Sequence, residues 1–104
     1  PPDTIIGELE VPDPAGGAEA VAALRRLDGA AVTVDDSDSL ESATRIAQHE
    51  IIEMGAAGGA AAAGAWNWHE AGAFTGDETV VLLNTDSGVK SPDVLRSHLM
   101  GQGV

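Results

Sequence analysis

Apolar positions recur along this chain with two different periods. From Thr4 to Val11 they alternate, with Ile5, Leu9 and Val11 on one side and Glu8 and Glu10 on the other. That two-residue period predicts a half-buried extended segment, which Pro12 ends. Asp13-Pro14 reads as a helix start, an N-cap acceptor followed by a residue whose missing N–H costs nothing at the first position. Val21 and Leu24, flanked by Ala22 and Leu27, give that helix an apolar stripe. Arg25-Arg26 complement its negative end, and Gly29 closes it. Ala30 to Val34, with two β-branched valines, predicts a short buried strand. Asp38, three residues before Glu41, reads as an N-cap arrangement for a second amphipathic helix carrying Leu40, Ala43, Ile46 and Ala47 and ending near His49-Glu50.

Ile51-Ile52-Glu53 is a very short strand or extended turn. It leads into Met54-Gly55-Ala56-Ala57-Gly58-Gly59-Ala60-Ala61-Ala62-Ala63-Gly64-Ala65-Trp66, which is apolar on every face and nearly devoid of side chains. Interior glycines cost a helix about 1 kcal/mol each relative to alanine, so their value here is close backbone approach. An all-round apolar helix implies burial on all sides. That is hard to provide within 104 residues, and implies that part of the surrounding protein is missing. The helix should run to about Ala71, stopped by Gly72 and the Thr75-Gly76-Asp77 turn. Thr79 to Leu83 is the strongest strand pattern, followed by the polar turn Asn84 to Gly88. Ser91-Pro92-Asp93 then starts a last helix with Val94, Leu95, His98 and Leu99 on one side. Strands alternating with helices predict an α/β fold with short parallel strands and right-handed crossover helices.

Composition narrows the chemistry. Seventeen acids against five bases give a net charge of −12, and Lys90 is the one lysine. Without a basic patch to displace counterions from phosphate, nucleic-acid binding is excluded. The acids are scattered through a periodic apolar sequence, so they do not mark a disordered tail. Such a lysine-poor, alanine-rich balance resembles cytoplasmic proteins of extreme halophiles, whose self-repulsion is screened by molar salt. The chain has no cysteine, which excludes disulfides and thiolate chemistry. The uncharged run from Met54 to His69 is too short to span a membrane. The opening Pro1-Pro2 fits a processed or excised piece better than a native amino terminus. His49, His69 and His98 share no metal-ligand spacing and read as structural, as do Trp66 and Trp68 as packing anchors.

Two turns could carry a ligand, since open α/β sheets bind beyond the carboxyl ends of their strands. The Glu53 to Gly58 turn offers N–H groups at a helix start to an anion. Its glycine spacing does not match a dinucleotide loop, and tight packing explains those glycines more simply. The second turn is Thr85-Asp86-Ser87-Gly88-Val89-Lys90, which read alone is an ordinary strand-to-helix turn.

Taken in order, these segments resemble the C-terminal part of the threonine synthase family and its relatives among fold type II pyridoxal-phosphate enzymes. Those enzymes carry a Glu-Pro-Ala/Gly-Ala-Ala element, then a strand, then Thr-Gly-x-Gly-x-Lys-Asp-x-Asp. The matching pieces are Glu53-Met54-Gly55-Ala56-Ala57 and the stretch from Thr79 to Asp93. Asp3-Thr4-Ile5-Ile6 and Asp28 to Val34 fall in the family's order upstream. The resemblance implies that residues 1–104 are one segment of the larger domain, a partial three-layer sandwich. It implies pyridoxal phosphate as cofactor and an amino-acid substrate, O-phosphohomoserine converted to threonine, or else a threonine or serine dehydratase. It assigns Thr85 the hydrogen bond to the cofactor's pyridine nitrogen, and Glu53, Gly55, Ala56 and Gly58 a place on the cofactor side. Asp86 stands where a small residue is expected, and Met54 where proline is common. The family's Schiff-base lysine and phosphate-binding loop have no counterpart here, and Lys90 matches a different lysine. The fragment alone is therefore expected to hold no catalytic residue, to be inactive, and to self-associate or contact the rest of the enzyme. The competing reading is a non-catalytic α/β module that binds an anion or a partner chain.

Overall fold

Two helices of equal length form the centre of the molecule. In the computed structural model, which describes residues 3–90 and 92–101, α2 (Asp36–Glu50) packs along α3 (Ala56–Glu70). Their approach is close because α3 presents glycine at the crossing. A Cβ on Gly59 would overlap the Ser39 carbonyl and lie 3.1 Å from the Ala43 Cβ. Around this crossing Leu40, Ala43, Met54, Ala56, Ala62 and Ala63 are buried. The glycine-alanine run is thus a packing device, as its composition predicts. Its outer side differs: Ala61 is exposed and Trp66 is half-exposed, so burial is one-sided.

Helix α2 starts three residues earlier than the Asp38 cap predicts. Asp35 is the N-cap, and Asp36 and Asp38 both sit in the first turn, where the helix dipole favours negative charge. The Asp36 carboxylate also faces outward to the chain's beginning. It accepts from the Thr4 hydroxyl and, at 2.7 Å, from the Ile5 N–H. That clasp lays Ile6 into the core against Leu40 and Ala56, 1 % exposed. The predicted extended segment over Thr4 to Val11 is instead bent by a 3-10 turn at Gly7–Leu9.

The first helix, α1, covers Gly17–Arg26. Asp13-Pro14 precedes it in a turn closed by the Gly17 N–H on the Pro14 carbonyl. The short α4 (Pro92–Leu99) follows a second 3-10 turn at Gly88–Lys90 and adds Val94 and Leu95 to the core. Its expected first residue, Ser91, lies outside the described residues. Arg45 of α2 stacks 4.0 Å over the Trp66 ring, and Trp68 meets Phe74 edge-on at 6.4 Å.

The α/β expectation is corrected. Among the described residues there is no strand, so no partial three-layer sandwich with parallel strands and crossover helices forms. Residues 30–34 and 79–83 have the apolar, β-branched composition of strands. Composition provides the side chains, but a strand also needs a neighbour for its N–H and C=O groups. Both runs flank a trough over α3, with Val32 and Val34 against Gly64, and neither bonds to the other. No helix among the described residues is long and apolar enough to cross a membrane.

Candidate cofactor-contacting site

The start of α3 lacks a capping side chain, because its N-cap residue is Gly55. The loop after residues 79–83 supplies one. The Asp86 carboxylate reaches back 28 positions, and its Oδ1 accepts from the Gly58 N–H at 2.8 Å. Gly58 is the third residue of the helix, one of the first-turn donors with no partner inside the helix. Two further bonds fasten the same loop. The Asn84 side-chain amide donates to the Glu53 carbonyl at 3.2 Å, and the Ser87 hydroxyl to Glu53 Oε1 at 3.1 Å.

Glycine is required on the α3 side of this latch. A Cβ on Gly55 would overlap the Asp86 carboxyl group, and one on Gly58 would stand 2.8 Å from Asp86 Oδ1 and 2.7 Å from Asn84 Oδ1. The second Asp86 oxygen, Oδ2, is buried with no hydrogen-bond partner. The carboxylate is therefore turned into the helix start and away from the solvent side of its loop.

The residues singled out from sequence fall as follows. Glu53, Gly55, Gly58 and Thr85 are brought to one junction between the α3 start and the 84–87 loop. Thr85 is exposed between the two latching residues Asn84 and Asp86, and its hydroxyl makes no hydrogen bond to another described residue. Ala56 belongs to the same turn, but its methyl faces inward to Ile6 and Leu40. Asp86 as a cap was not legible from sequence; the absence of Ser, Thr, Asp or Asn at the N-cap was the available signal. Among the described residues, no three His, Cys, Asp or Glu side chains converge on a point that could hold a metal ion.

Comparison with known proteins bears on this junction. The family model of the pyridoxal-phosphate dependent enzymes matches residues 1–86, which takes in Asn84 and Asp86 of the latch and stops before Ser87. The chain belongs to this family. It is 29% identical over 94 residues to a threonine synthase of Methanosarcina acetivorans, an alignment covering 90% of this chain and 23% of that protein. The chain thus spans less than a quarter of the length of the curated relative it matches. No solved structure gives a significant match.

The family's cofactor is pyridoxal phosphate, and the junction fits one edge of it. An unengaged hydroxyl at Thr85 can donate to a ring nitrogen without charging it. The phosphate has no place at the α3 start, because the chain's own Asp86 carboxylate fills the position an anion would take.

Proposed function

We propose that residues 1–104 form the C-terminal portion of the larger domain of a threonine-synthase-like enzyme that converts O-phosphohomoserine to threonine. The carrying observation is the exposed Thr85 hydroxyl, without a hydrogen-bond partner among the described residues, on a loop latched at three points beside the α3 start. The order of motifs and the Methanosarcina acetivorans relative support threonine synthase over a dehydratase. Cytoplasmic residence and a halophilic source belong to the same proposal and rest on the charge balance.

When bound, pyridoxal phosphate supplies an electron sink for charge developing at the substrate's α-carbon. The role of this chain is to position and to hold neutral. Thr85 would hold the ring nitrogen through a hydrogen bond from its hydroxyl, the proton staying on the Thr85 oxygen and the nitrogen staying uncharged. Asp86, which sequence places dangerously near that nitrogen, is held by the Gly58 N–H and does not compete for it. Asn84 and Ser87 fix the loop to Glu53, so that the Thr85 backbone has little freedom.

Residues 1–104 contain one lysine, and proton transfer at the α-carbon needs an amine held against the reacting atoms. The chain alone is expected to turn over neither O-phosphohomoserine nor threonine. Borohydride reduction after adding cofactor, followed by peptide mapping, checks this. A stoichiometric adduct at Lys90 together with turnover would defeat the reading. Sequencing the transcript that carries these codons is the second check. A lysine-bearing region in the same reading frame is expected, and a message encoding residues 1–104 alone would sink the proposal.

A further inference from the structure

Backbone conformation does not explain Gly55 and Gly58. Gly55 has φ −76° and ψ 172°, an extended geometry that any residue adopts. Gly58 lies inside α3, where alanine is the better helix former. What both positions lack is room, because Asp86 takes it. A Cβ on Gly55 would overlap the Asp86 carboxyl group, and one on Gly58 would lie 2.8 Å from its Oδ1. The two glycines thus form a socket for one carboxylate, with the Gly58 N–H at its base. The second oxygen, Oδ2, is closed off from solvent inside it.

The socket stands beside a residue with an opposing requirement. Thr85 adjoins Asp86 in the chain and is exposed; as partner of a ring nitrogen it needs that nitrogen uncharged. A free carboxylate beside a basic nitrogen favours the protonated form instead. Inside the socket the negative charge is answered by the Gly58 N–H and by the positive end of α3, about half an elementary charge. Outside it, the carboxylate would turn to the solvent side of the loop, where Thr85 lies.

We propose that Gly55 and Gly58 are positioning residues of the cofactor site, which sequester the Asp86 carboxylate and so keep the cofactor's ring nitrogen neutral. The proposal rests on Thr85 being the partner of that nitrogen. Asp86 gives α3 the cap that its glycine N-cap cannot, and the socket keeps that acid from acting on the ring. Filling the socket would release the carboxylate. It would then accept from a protonated ring nitrogen, the proton drawn from solvent and the carboxylate staying ionised. The charge on the ring sets how strongly it withdraws electrons from a substrate, so the two glycines act on the chemistry without touching it.

The test uses the intact enzyme, residues 1–104 with the remainder of its chain, loaded with pyridoxal phosphate carrying nitrogen-15 in the ring. The resonance of that nucleus separates a neutral from a protonated nitrogen. Wild type should give the neutral resonance, and Thr85→Val should displace it, because the hydroxyl is lost. Gly58→Ala should give the protonated resonance, with its pH midpoint raised by about 1–3 pH units. Asp86→Glu adds a methylene to a socket without spare room, leaves α3 unaltered, and should do the same. Far-ultraviolet circular dichroism checks that each variant is folded. Gly58→Ala combined with Asp86→Ala should return the neutral resonance, since no carboxylate remains to be released. A neutral nitrogen in either folded variant, with Thr85→Val still displacing the resonance, overturns the proposal and leaves the role of Thr85 standing. A nitrogen that stays protonated in the double variant also overturns it. If Thr85→Val leaves the resonance in place, the role of Thr85 fails and the proposal with it.

Discussion

Replacing Asp86 by alanine removes the side-chain acceptor that reaches the first turn of α3. A hydrogen bond to a charged group contributes about 1.5–3 kcal/mol, and a carboxylate at a helix start adds about 0.3–1 kcal/mol. Against this stands Oδ2, which is buried without a partner and gives back about 1–3 kcal/mol of desolvation when removed. The net loss expected for Asp86→Ala is therefore modest, about 1–2 kcal/mol, or a fall in melting temperature of about 5–15 °C at this chain length. Asp86→Asn keeps the Oδ1 acceptor without the charge and should lose roughly half as much. The sharper test is coupling to Gly58. Gly→Ala within a helix ordinarily gains about 1 kcal/mol, but here the new methyl would stand 2.8 Å from Asp86 Oδ1. Gly58→Ala alone should destabilise, and the double variant should be better than the sum of the singles by at least about 0.5 kcal/mol. Thermal and urea unfolding in molar salt measure all four corners of the cycle. Strict additivity, or an Asp86→Ala variant as stable as wild type, would refute the latch.

Gly59→Ala should be among the most damaging single changes, about 2–3 kcal/mol or more, because its Cβ would overlap the backbone carbonyl of Ser39, which no rotamer change can move; urea unfolding reads it. The Glu78 carboxyl should titrate below the ordinary 4.5, chiefly because the Thr75 hydroxyl donates to it. Since its folded value is depressed, its small contribution to stability is present above the unfolded value and is lost as pH falls through the folded one. Carbon-detected NMR titration should show Thr75→Ala returning Glu78 toward 4.5. Lowering salt from molar to millimolar should lower the unfolding midpoint, given the net charge of −12 and the Asp35, Asp36 and Asp38 cluster; a flat response would reject the halophilic reading.

Local signals in the sequence located the helices better than anything else. Leu40, Ala43 and Ile46 mark the buried side of α2, and Gly72 with the following turn places the end of α3 within a residue of Glu70. Caps were less legible: Asp35, Asp36 and Asp38 compete for one helix start, and the winner depends on Thr4 and Ile5 claiming Asp36. Strand pattern misled for a physical reason. Val80 to Leu83 have the right side chains, but pairing is decided by a neighbour distant in sequence. At the site, resemblance brought Thr85 and the Glu53–Gly58 turn to one junction. The reason Gly55 and Gly58 must be glycine lay 28 or more residues away, in the reach of Asp86.

The closeness of α2 and α3 has a thermal consequence. Nearly all the buried contact at their crossing comes from backbone, methyl groups and glycine, with Leu40 the large aliphatic side chain at its centre. Unfolding such a core returns little hydrocarbon to water, and the heat capacity of unfolding follows the hydrocarbon exposed. The stability curve of this chain should accordingly be broad and shallow. Cooling should weaken it less than it weakens a leucine-packed domain, and its stability should vary more with the salt around it than with the temperature.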